Sequence, residues 1–157
     1  MKNLIILLGF VFSLGANLAY AEDVVLGQSV PLSGTNADIG RDMRDGALAV
    51  FTKVNASNLL GGRKIQLITL DNANNRARAL ENTKELLDVK KVMALFGYNS
   101  ATNSLDALPL LKQNEMALFA PFTGSATLRT DPRVFTIRAS YAEEAAKIVE
   151  HHKTLGA

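Results

Sequence analysis

Short β-type runs alternate with amphipathic stretches from Val24 onward, and this alternation constrains the fold more than any other feature of the sequence. The strand-like runs are Val24–Val30, Lys64–Leu70, Val92–Phe96, Ala117–Ala120 and Val134–Ile137. After the first, second, third and fifth runs, apolar residues recur at helical spacing. Strands that alternate with helices over short connections predict an α/β fold: a doubly wound, mostly parallel sheet with helices on both faces.

The helical stretches carry their own start and stop signals. They cover residues 39–54, Arg76–Val89, the segment around Leu105–Leu111 and a last stretch that begins at Ser140. Pro109 lies inside the third stretch, and we expect it to break or bend that helix because proline removes a hydrogen-bond donor. Ser140 and Glu143 have the spacing of a capping box, which predicts the start of the last helix.

The first 21 residues differ in composition from the rest of the chain. Lys2 is their only charged residue, an apolar run extends from Leu4 to Leu14, and small residues stand at Ala19 and Ala21. This pattern predicts a secretory signal peptide over residues 1–21 that is cut after Ala21. An uncleaved membrane anchor is the alternative, but the apolar run is shorter than the ~20 residues that a span needs. We therefore predict that a mature domain, residues 22–157, is exported to a periplasm.

Composition excludes several classes of function. Seventeen Lys and Arg oppose 15 Asp and Glu, a net charge of +2, which argues against a nucleic-acid partner that binds by phosphate neutralisation. The chain has no cysteine, and its two histidines, His151 and His152, point about 100° apart on a helix and do not chelate a metal together. Nucleophile elbow, P-loop and dinucleotide motifs are absent. The sequence therefore favours a binding protein over an enzyme, without a metal or cofactor.

Three loops that follow predicted strands are rich in small polar residues: 33–36, 99–104 and 121–125. The second loop leads into a helix, and hydroxyls with free N–H groups at a helix start favour an anion such as a carboxylate. Ser100, Thr102 or Ser104 is equally suited to cap that helix. The third loop adds Phe122 as an apolar surface. After the second strand, Asp71 either starts a turn or imitates the ribose-binding acid of dinucleotide folds.

Taken in order, these segments resemble a known family. The matching pieces are Val24–Gly34, Asn58–Ile65, Leu70–Asn72, Phe96–Gly97, Ala107–Leu110, Ala120–Gly124 and Val134–Tyr141. They resemble the branched-chain amino-acid-binding proteins, the type I periplasmic solute-binding proteins of ABC importers. The resemblance implies two α/β lobes that close on a small solute and deliver it to a membrane permease. It also implies that residues 22–157 are an N-terminal lobe without the second lobe, either a truncated gene product or a fragment, which holds half a cleft.

The resemblance assigns candidate ligand contacts at matching positions. The loop after the third strand, which contacts carboxylate and amine groups in the family, corresponds to Ser100, Ala101 and Thr102. The loop after the fourth strand corresponds to Phe122, Thr123 and Gly124. Ile39 stands where the family often places an aromatic residue, and Ala101 stands where a hydroxyl is expected. Tyr141, just past the fifth strand, is a further candidate, either for the cleft or for packing.

Three hypotheses follow from the sequence. The first is the periplasmic solute receptor of an ABC importer, whose partners are an amino acid or a similar small carboxylate or amide and a membrane permease. The second is a ligand-sensing ectodomain of a signalling receptor, which a downstream membrane helix and cytoplasmic domain would indicate. The third is a secreted hydrolase of unfamiliar type.

Overall fold

The computed structural model describes residues 22–156, so the predicted signal peptide lies outside the described residues. The elements are β1 (Val24–Val30), α1 (Ala37–Ala56), β2 (Ile65–Asp71), α2 (Arg76–Lys84), β3 (Ala94–Phe96), α3 (Ala101–Gln113), β4 (Leu118–Phe119), α4 (Ala126–Arg129), β5 (Val134–Phe135) and α5 (Tyr141–Thr154). The strands form one sheet in the order β2-β1-β3-β4-β5, and every neighbouring pair is parallel. The predicted fold class is confirmed.

This strand order places the loops that matter at one edge of the sheet. Because all five strands run in the same direction, the loops after β1, β3, β4 and β5 leave from the same side. The chain moves outward from β1 to β2 and then returns to β3 on the other side of β1. Ligands of open α/β sheets bind beside such a reversal of strand order, outside the carboxyl ends of the strands.

The core lies between the sheet and the helices α2, α3 and α4. Leu95 of β3 and Leu118 of β4 pair in register, and both are fully buried. Leu86 just after α2, Leu111 of α3 and Leu128 of α4 are equally buried in the same apolar cluster. Each fully buried leucine side chain contributes roughly 1.5–3 kcal/mol of transfer free energy, so this face supplies most of the hydrophobic stabilisation of the sheet.

The opposite face of the sheet is covered only in part within the described residues. Phe96, Phe119 and Phe135 stand in register on neighbouring strands. Phe51 of α1 packs edge-on against Phe96, with ring centroids 5.5 Å apart. The rings of Phe119 and Phe135 stack at 4.7 Å but remain 40% and 51% exposed. The helix α1 therefore covers the β2 and β1 side of this face, reaches β3 through Phe51, and leaves the side of β4 and β5 open.

The helices of the structure differ from the predicted ones at three places. The helix does not break at Pro109: α3 continues through Gln113 with Pro109 on its exposed side, where water can satisfy the carbonyl that proline leaves without a donor. The alternative, a bend at Pro109, stays a prediction. The second predicted helix is not uniform: α2 ends at Lys84 and one π-helical turn, Glu85–Val89, follows. The short helix α4 was not predicted, because four residues are too few for a periodic signal.

The last helix, α5, forms as expected but makes few packing contacts with the rest of the described chain. Its capping box is confirmed: the Ser140 hydroxyl accepts from the Glu143 N–H at 3.2 Å, and the Glu143 carboxylate accepts from the Ser140 N–H at 2.7 Å. None of its residues is buried. Among residues 22–156, no helix combines the length and the apolar character that a membrane span requires.

Candidate functional site

Backbone hydrogen bonds join the three loops that leave β3, β4 and β5. The Phe122 N–H donates to the Tyr98 carbonyl at 2.8 Å, which links the loop after β4 to the loop after β3. The Tyr141 N–H donates to the Gly124 carbonyl at 3.0 Å, which links the loop after β4 to the start of α5. The candidate residues on these loops therefore lie on one continuous surface, although 41 positions separate Ser100 from Tyr141 in sequence.

A buried glutamine supports the loop after β3 from below. The side-chain amide of Gln28 donates to the Gly97 carbonyl at 3.4 Å, and its oxygen accepts from the Thr69 hydroxyl at 3.0 Å. Gly97 has a φ of 62°, and a Cβ there would lie 2.9 Å from the Gln28 amide nitrogen. The left-handed backbone angle and the close approach of Gln28 both favour glycine at this turn.

Tyr98 fixes the same loop to α2. Its ring is fully buried, and its hydroxyl lies 2.9 Å from the Thr83 hydroxyl, which also donates to the Ala79 carbonyl at 2.7 Å. Burial raises the pKa of Tyr98, so the phenol stays protonated at neutral pH. The tyrosine thus anchors the segment between β3 and α3 and is not a titrating group of the site.

The start of α3 carries two backbone donors that point out of the helix. Ser100 is the N-cap: its hydroxyl accepts from the Asn103 N–H at 3.3 Å, and its carbonyl accepts from the Ser104 N–H at 3.0 Å. Within residues 22–156, the N–H groups of Ala101 and Thr102 make no backbone hydrogen bond, as expected for the first positions of a helix. Ala101 is half-buried and Thr102 is exposed. The capping role predicted for this loop is thus confirmed for Ser100.

Thr123 and Gly124 hold Tyr141 against the loop after β4. Thr123 is almost fully buried, and its hydroxyl accepts from the Ser125 N–H at 3.2 Å and lies 3.1 Å from the Tyr141 hydroxyl. A Cβ at Gly124 would approach both the Tyr141 nitrogen and its ring carbon Cδ1 to 2.8 Å. In this structure the Thr123 hydroxyl therefore orients Tyr141, and its predicted contact with a ligand stays a prediction.

Two aromatic side chains form the apolar part of this surface. Phe122 is 49% exposed and Tyr141 is 52% exposed, at the same edge of the sheet. Ile39 stands apart from them. It lies in the first turn of α1, after β1, and β3 separates β1 from β4 in the sheet.

The loop after β1 is held by Asp71 at the end of β2. Its carboxylate accepts hydrogen bonds from the N–H groups of Leu32, Ser33 and Ala73 and from the Ser33 hydroxyl. Burial alone raises the pKa of Asp71, but these hydrogen bonds outweigh it and lower the pKa to about 2. A turn does follow Asp71, but one residue later than predicted: Asp71 ends β2, and the Asn75 N–H donates to the Asn72 carbonyl at 2.8 Å. The Asp71 side chain also fastens the neighbouring loop.

The described residues offer little to a metal ion. Within residues 22–156, no three His, Asp or Glu side chains gather into a group that could hold one. His151 and His152 are exposed on α5, and their ring centroids are 6.0 Å apart with the rings inclined at 61°.

Sequence reasoning missed two residues that shape the surface. Gln28 is a polar residue in the middle of a strand, and that mismatch was its only local signal. Arg138 lies between Phe122 and Tyr141, with its guanidinium carbon 5.3 Å and 5.4 Å from the two ring centroids. Nothing in the sequence around Arg138 indicates this position, because the contact with Phe122 depends on the packing of two loops.

Comparisons with known proteins match this architecture. The family model described as periplasmic binding protein matches residues 23–157. An amino acid binding protein of Pseudomonas aeruginosa is 30% identical over 112 residues, which are 71% of this chain and 28% of that protein. Among solved structures, a possible leucine/isoleucine/valine-binding protein from Rhodopirellula baltica is 36% identical with a TM-score of 0.81 and covers 87% of this chain and 37% of that one.

A substrate-binding periplasmic protein from Ralstonia solanacearum is also similar, at 30% identity and a TM-score of 0.79, over 85% of this chain and 38% of that one. The chain thus spans less than two fifths of the length of each of these three proteins.

Proposed function

The chain belongs to the periplasmic binding protein family, and from this premise we propose that it captures a small carboxylate-bearing solute, an amino acid or a close analogue, for an ABC importer. The observation that carries the proposal is the joined surface of three loops at the carboxyl edge of the sheet. The relatives support the class of solute, since one is described as an amino acid binding protein and another as a possible leucine/isoleucine/valine-binding protein.

We assign the carboxylate of the solute to the start of α3. The N–H groups of Ala101 and Thr102 are available there, and the exposed Thr102 hydroxyl adds a third donor. A helix N-terminus carries a partial positive charge, so these donors suit an anion without an arginine. This assignment gives Ala101 a role through its backbone, although it lacks the hydroxyl that the family pattern leads one to expect.

The apolar part of the solute would lie against Phe122 and Tyr141. Both rings are half exposed at the edge where the α3 donors emerge, so a solute can meet donors and an apolar wall together. Sites for small molecules combine an apolar lining with a few placed polar groups in this way. Thr123 and Gly124 contribute by fixing Tyr141, and Ile39 offers a second apolar contact on the far side of β3.

The remaining parts of the proposal concern context. We propose that residues 1–21 are a cleaved signal peptide, that the protein works in the periplasm, and that residues 22–157 form the N-terminal lobe of a two-lobed receptor. A membrane permease is then the partner that accepts the solute. The assignment to a single lobe is supported by the share of each relative that this chain matches, which is 37% and 38% of the two solved structures.

A thermal-shift screen of the full-length protein against amino acids, amides and small aromatic acids tests the proposed class of solute. A ligand held at 100 times its dissociation constant adds about 2.7 kcal/mol of stability, which shifts the midpoint by several degrees. A screen in which no amino acid or carboxylate raises the midpoint contradicts the proposal.

The variant Ala101→Pro tests the carboxylate donors. Ala101 is the first residue of α3, a position that accepts proline, and the preceding Ser100 has the extended conformation that a following proline requires, with ψ 134°. The substitution therefore removes only one N–H group. We expect the affinity for the best carboxylate ligand to fall roughly tenfold to 150-fold, the loss typical for one hydrogen bond to a charged group. Thr52→Ala, at an exposed position of α1 remote from the loops, is the control and should leave the affinity unchanged.

A further inference from the structure

Arg138 occupies the space between the two aromatic side chains of the proposed site. Its guanidinium carbon lies 5.3 Å from the Phe122 ring centroid and 5.4 Å from the Tyr141 ring centroid. Both distances are within the ~6 Å at which an arginine is attracted to the face of an aromatic ring. The two rings come from different loops, so the arginine bridges the loop after β4 and the start of α5.

The guanidinium is also held in a fixed orientation. Glu144 accepts from the Arg138 Nε at 2.6 Å and from a terminal nitrogen at 2.8 Å, which is a two-point ion pair. Hydrogen bonding to Arg138 lowers the pKa of Glu144, so the pair remains ionised at neutral pH. Arg129 of α4 donates to the Arg138 carbonyl and fixes the backbone as well. Arg138 is therefore restrained at both its main chain and its side chain.

We propose that Arg138 is a positioning residue for the solute site, which sets the spacing and orientation of the Phe122 and Tyr141 rings. The inference rests on the proposed function, because it assigns these rings to the wall that the apolar part of the solute contacts. Glu144 balances the arginine charge, so Arg138 acts through the rings and leaves the carboxylate of the solute to α3.

The surroundings explain why the rings need this support. No residue of α5 is buried, so its link to the sheet within the described residues depends on a few contacts near its start. These are the Tyr141 bonds to Gly124 and Thr123 and the ion pair of Arg138 with Glu144. Without Arg138, the half-exposed rings lose the cation that both of them contact, and Tyr141 gains freedom to turn.

Two measurements on the full chain test the proposal. Acrylamide quenching of tyrosine emission reports the exposure of Tyr141, because the sequence has no tryptophan and its three tyrosines are Tyr20, Tyr98 and Tyr141. Tyr98 is fully buried, and subtraction of the matching Tyr141→Phe variant removes the signals of Tyr20 and Tyr98. Calorimetric titration with L-leucine reports the site. The variants are Arg138→Met, Arg138→Lys, and the exchange Arg138→Glu with Glu144→Arg, each checked for folding by circular dichroism.

We expect Arg138→Met to raise the quenching constant of Tyr141 about twofold and to weaken leucine binding roughly fivefold to tenfold. Arg138→Lys should recover part of both values, because lysine retains the cation without the planar fork. The exchanged pair should recover neither, since it restores the ion pair but removes the cation from between the rings.

Other results overturn the inference. If the quenching constant of Arg138→Met equals that of the parent, the rings do not depend on the arginine. If the quenching changes but the leucine affinity equals that of the parent, the rings do not serve the site. Full recovery of both values in the exchanged pair would show that the ion pair alone matters and that its role is structural. If the parent binds no amino acid at all, the proposed function is wrong, while the quenching series still decides whether Arg138 positions the rings. If Arg138→Met does not fold, the comparison of parent with Arg138→Lys decides by the same two measurements.

Discussion

Replacing Asp71 by asparagine separates the charge of this carboxylate from its hydrogen bonds. One carboxylate oxygen, Oδ1, accepts all three backbone N–H groups, at 2.8 Å from Leu32, 3.3 Å from Ser33 and 2.8 Å from Ala73. The other oxygen, Oδ2, accepts the Ser33 hydroxyl at 2.5 Å. An asparagine oxygen can take the place of Oδ1, and the serine hydroxyl can rotate to accept from the asparagine NH₂. The variant therefore keeps the geometry and loses the charge.

The magnitude follows from the pKa of Asp71. A fall from 3.8 to about 2 corresponds to at most about 2.5 kcal/mol of stabilisation, at about 1.4 kcal/mol per unit. Asp71 is only half-buried and water screens its charge, so we expect about 1 kcal/mol to remain. A carboxyl group whose pKa is lower in the folded state stabilises the fold above the pKa of the unfolded chain. That contribution is complete above about pH 5 and is lost as the pH falls toward 2.

Urea unfolding at pH 7 and at pH 2.5 measures this difference. The parent should be more stable than Asp71→Asn by about 1 kcal/mol at pH 7 and by less than half of that at pH 2.5. Asp42→Asn, at an exposed position of α1, is the control and should show little difference at either pH. An equal gap between parent and Asp71→Asn at both pH values would refute the argument, because the lost stability would then not depend on the charge.

Two further substitutions test how the loops are held. Gly124→Ala places a Cβ 2.8 Å from the Tyr141 backbone and should destabilise the chain by about 1–3 kcal/mol in denaturant unfolding. The control Gly46→Ala has no atom within 4 Å of the new Cβ and should stabilise the chain by about 0.5–1 kcal/mol. A tolerated Gly124→Ala would show that Tyr141 is not packed as described. Tyr98→Phe removes the buried bond to Thr83 and should cost about 0.5–1.5 kcal/mol; in a double-mutant cycle with Thr83→Val, additive losses would argue against that bond.

Much of the fold could be predicted because its signals are local. The runs that became β1 and β2 are long enough for hydrophobic periodicity to mark them, and the capping box at Ser140 depends on only four residues. The two-residue strands β4 and β5 fall within the longer predicted runs. The four-residue helix α4 lies below the length at which periodicity is informative.

The site was predictable only down to the level of loops. The positions of Ser100 and Phe122 followed from the parallel sheet, which brings loop ends together, and from the resemblance to a family. Contacts between distant residues did not follow, since 69 positions separate Gln28 from Gly97 and 38 separate Ser33 from Asp71. The burial of the Thr123 hydroxyl likewise depends on where α5 begins, which no local pattern specifies.

The most direct test of the central claim is an amide NMR titration of the full-length protein with L-leucine. If the loops after β3 and β4 bind the solute, the N–H signals of Ala101, Thr102 and Phe122 should shift most, and L-leucinamide, which lacks the carboxylate, should leave the first two nearly unmoved. Shifts confined to another region of the chain, or equal shifts with leucine and leucinamide, would contradict the account.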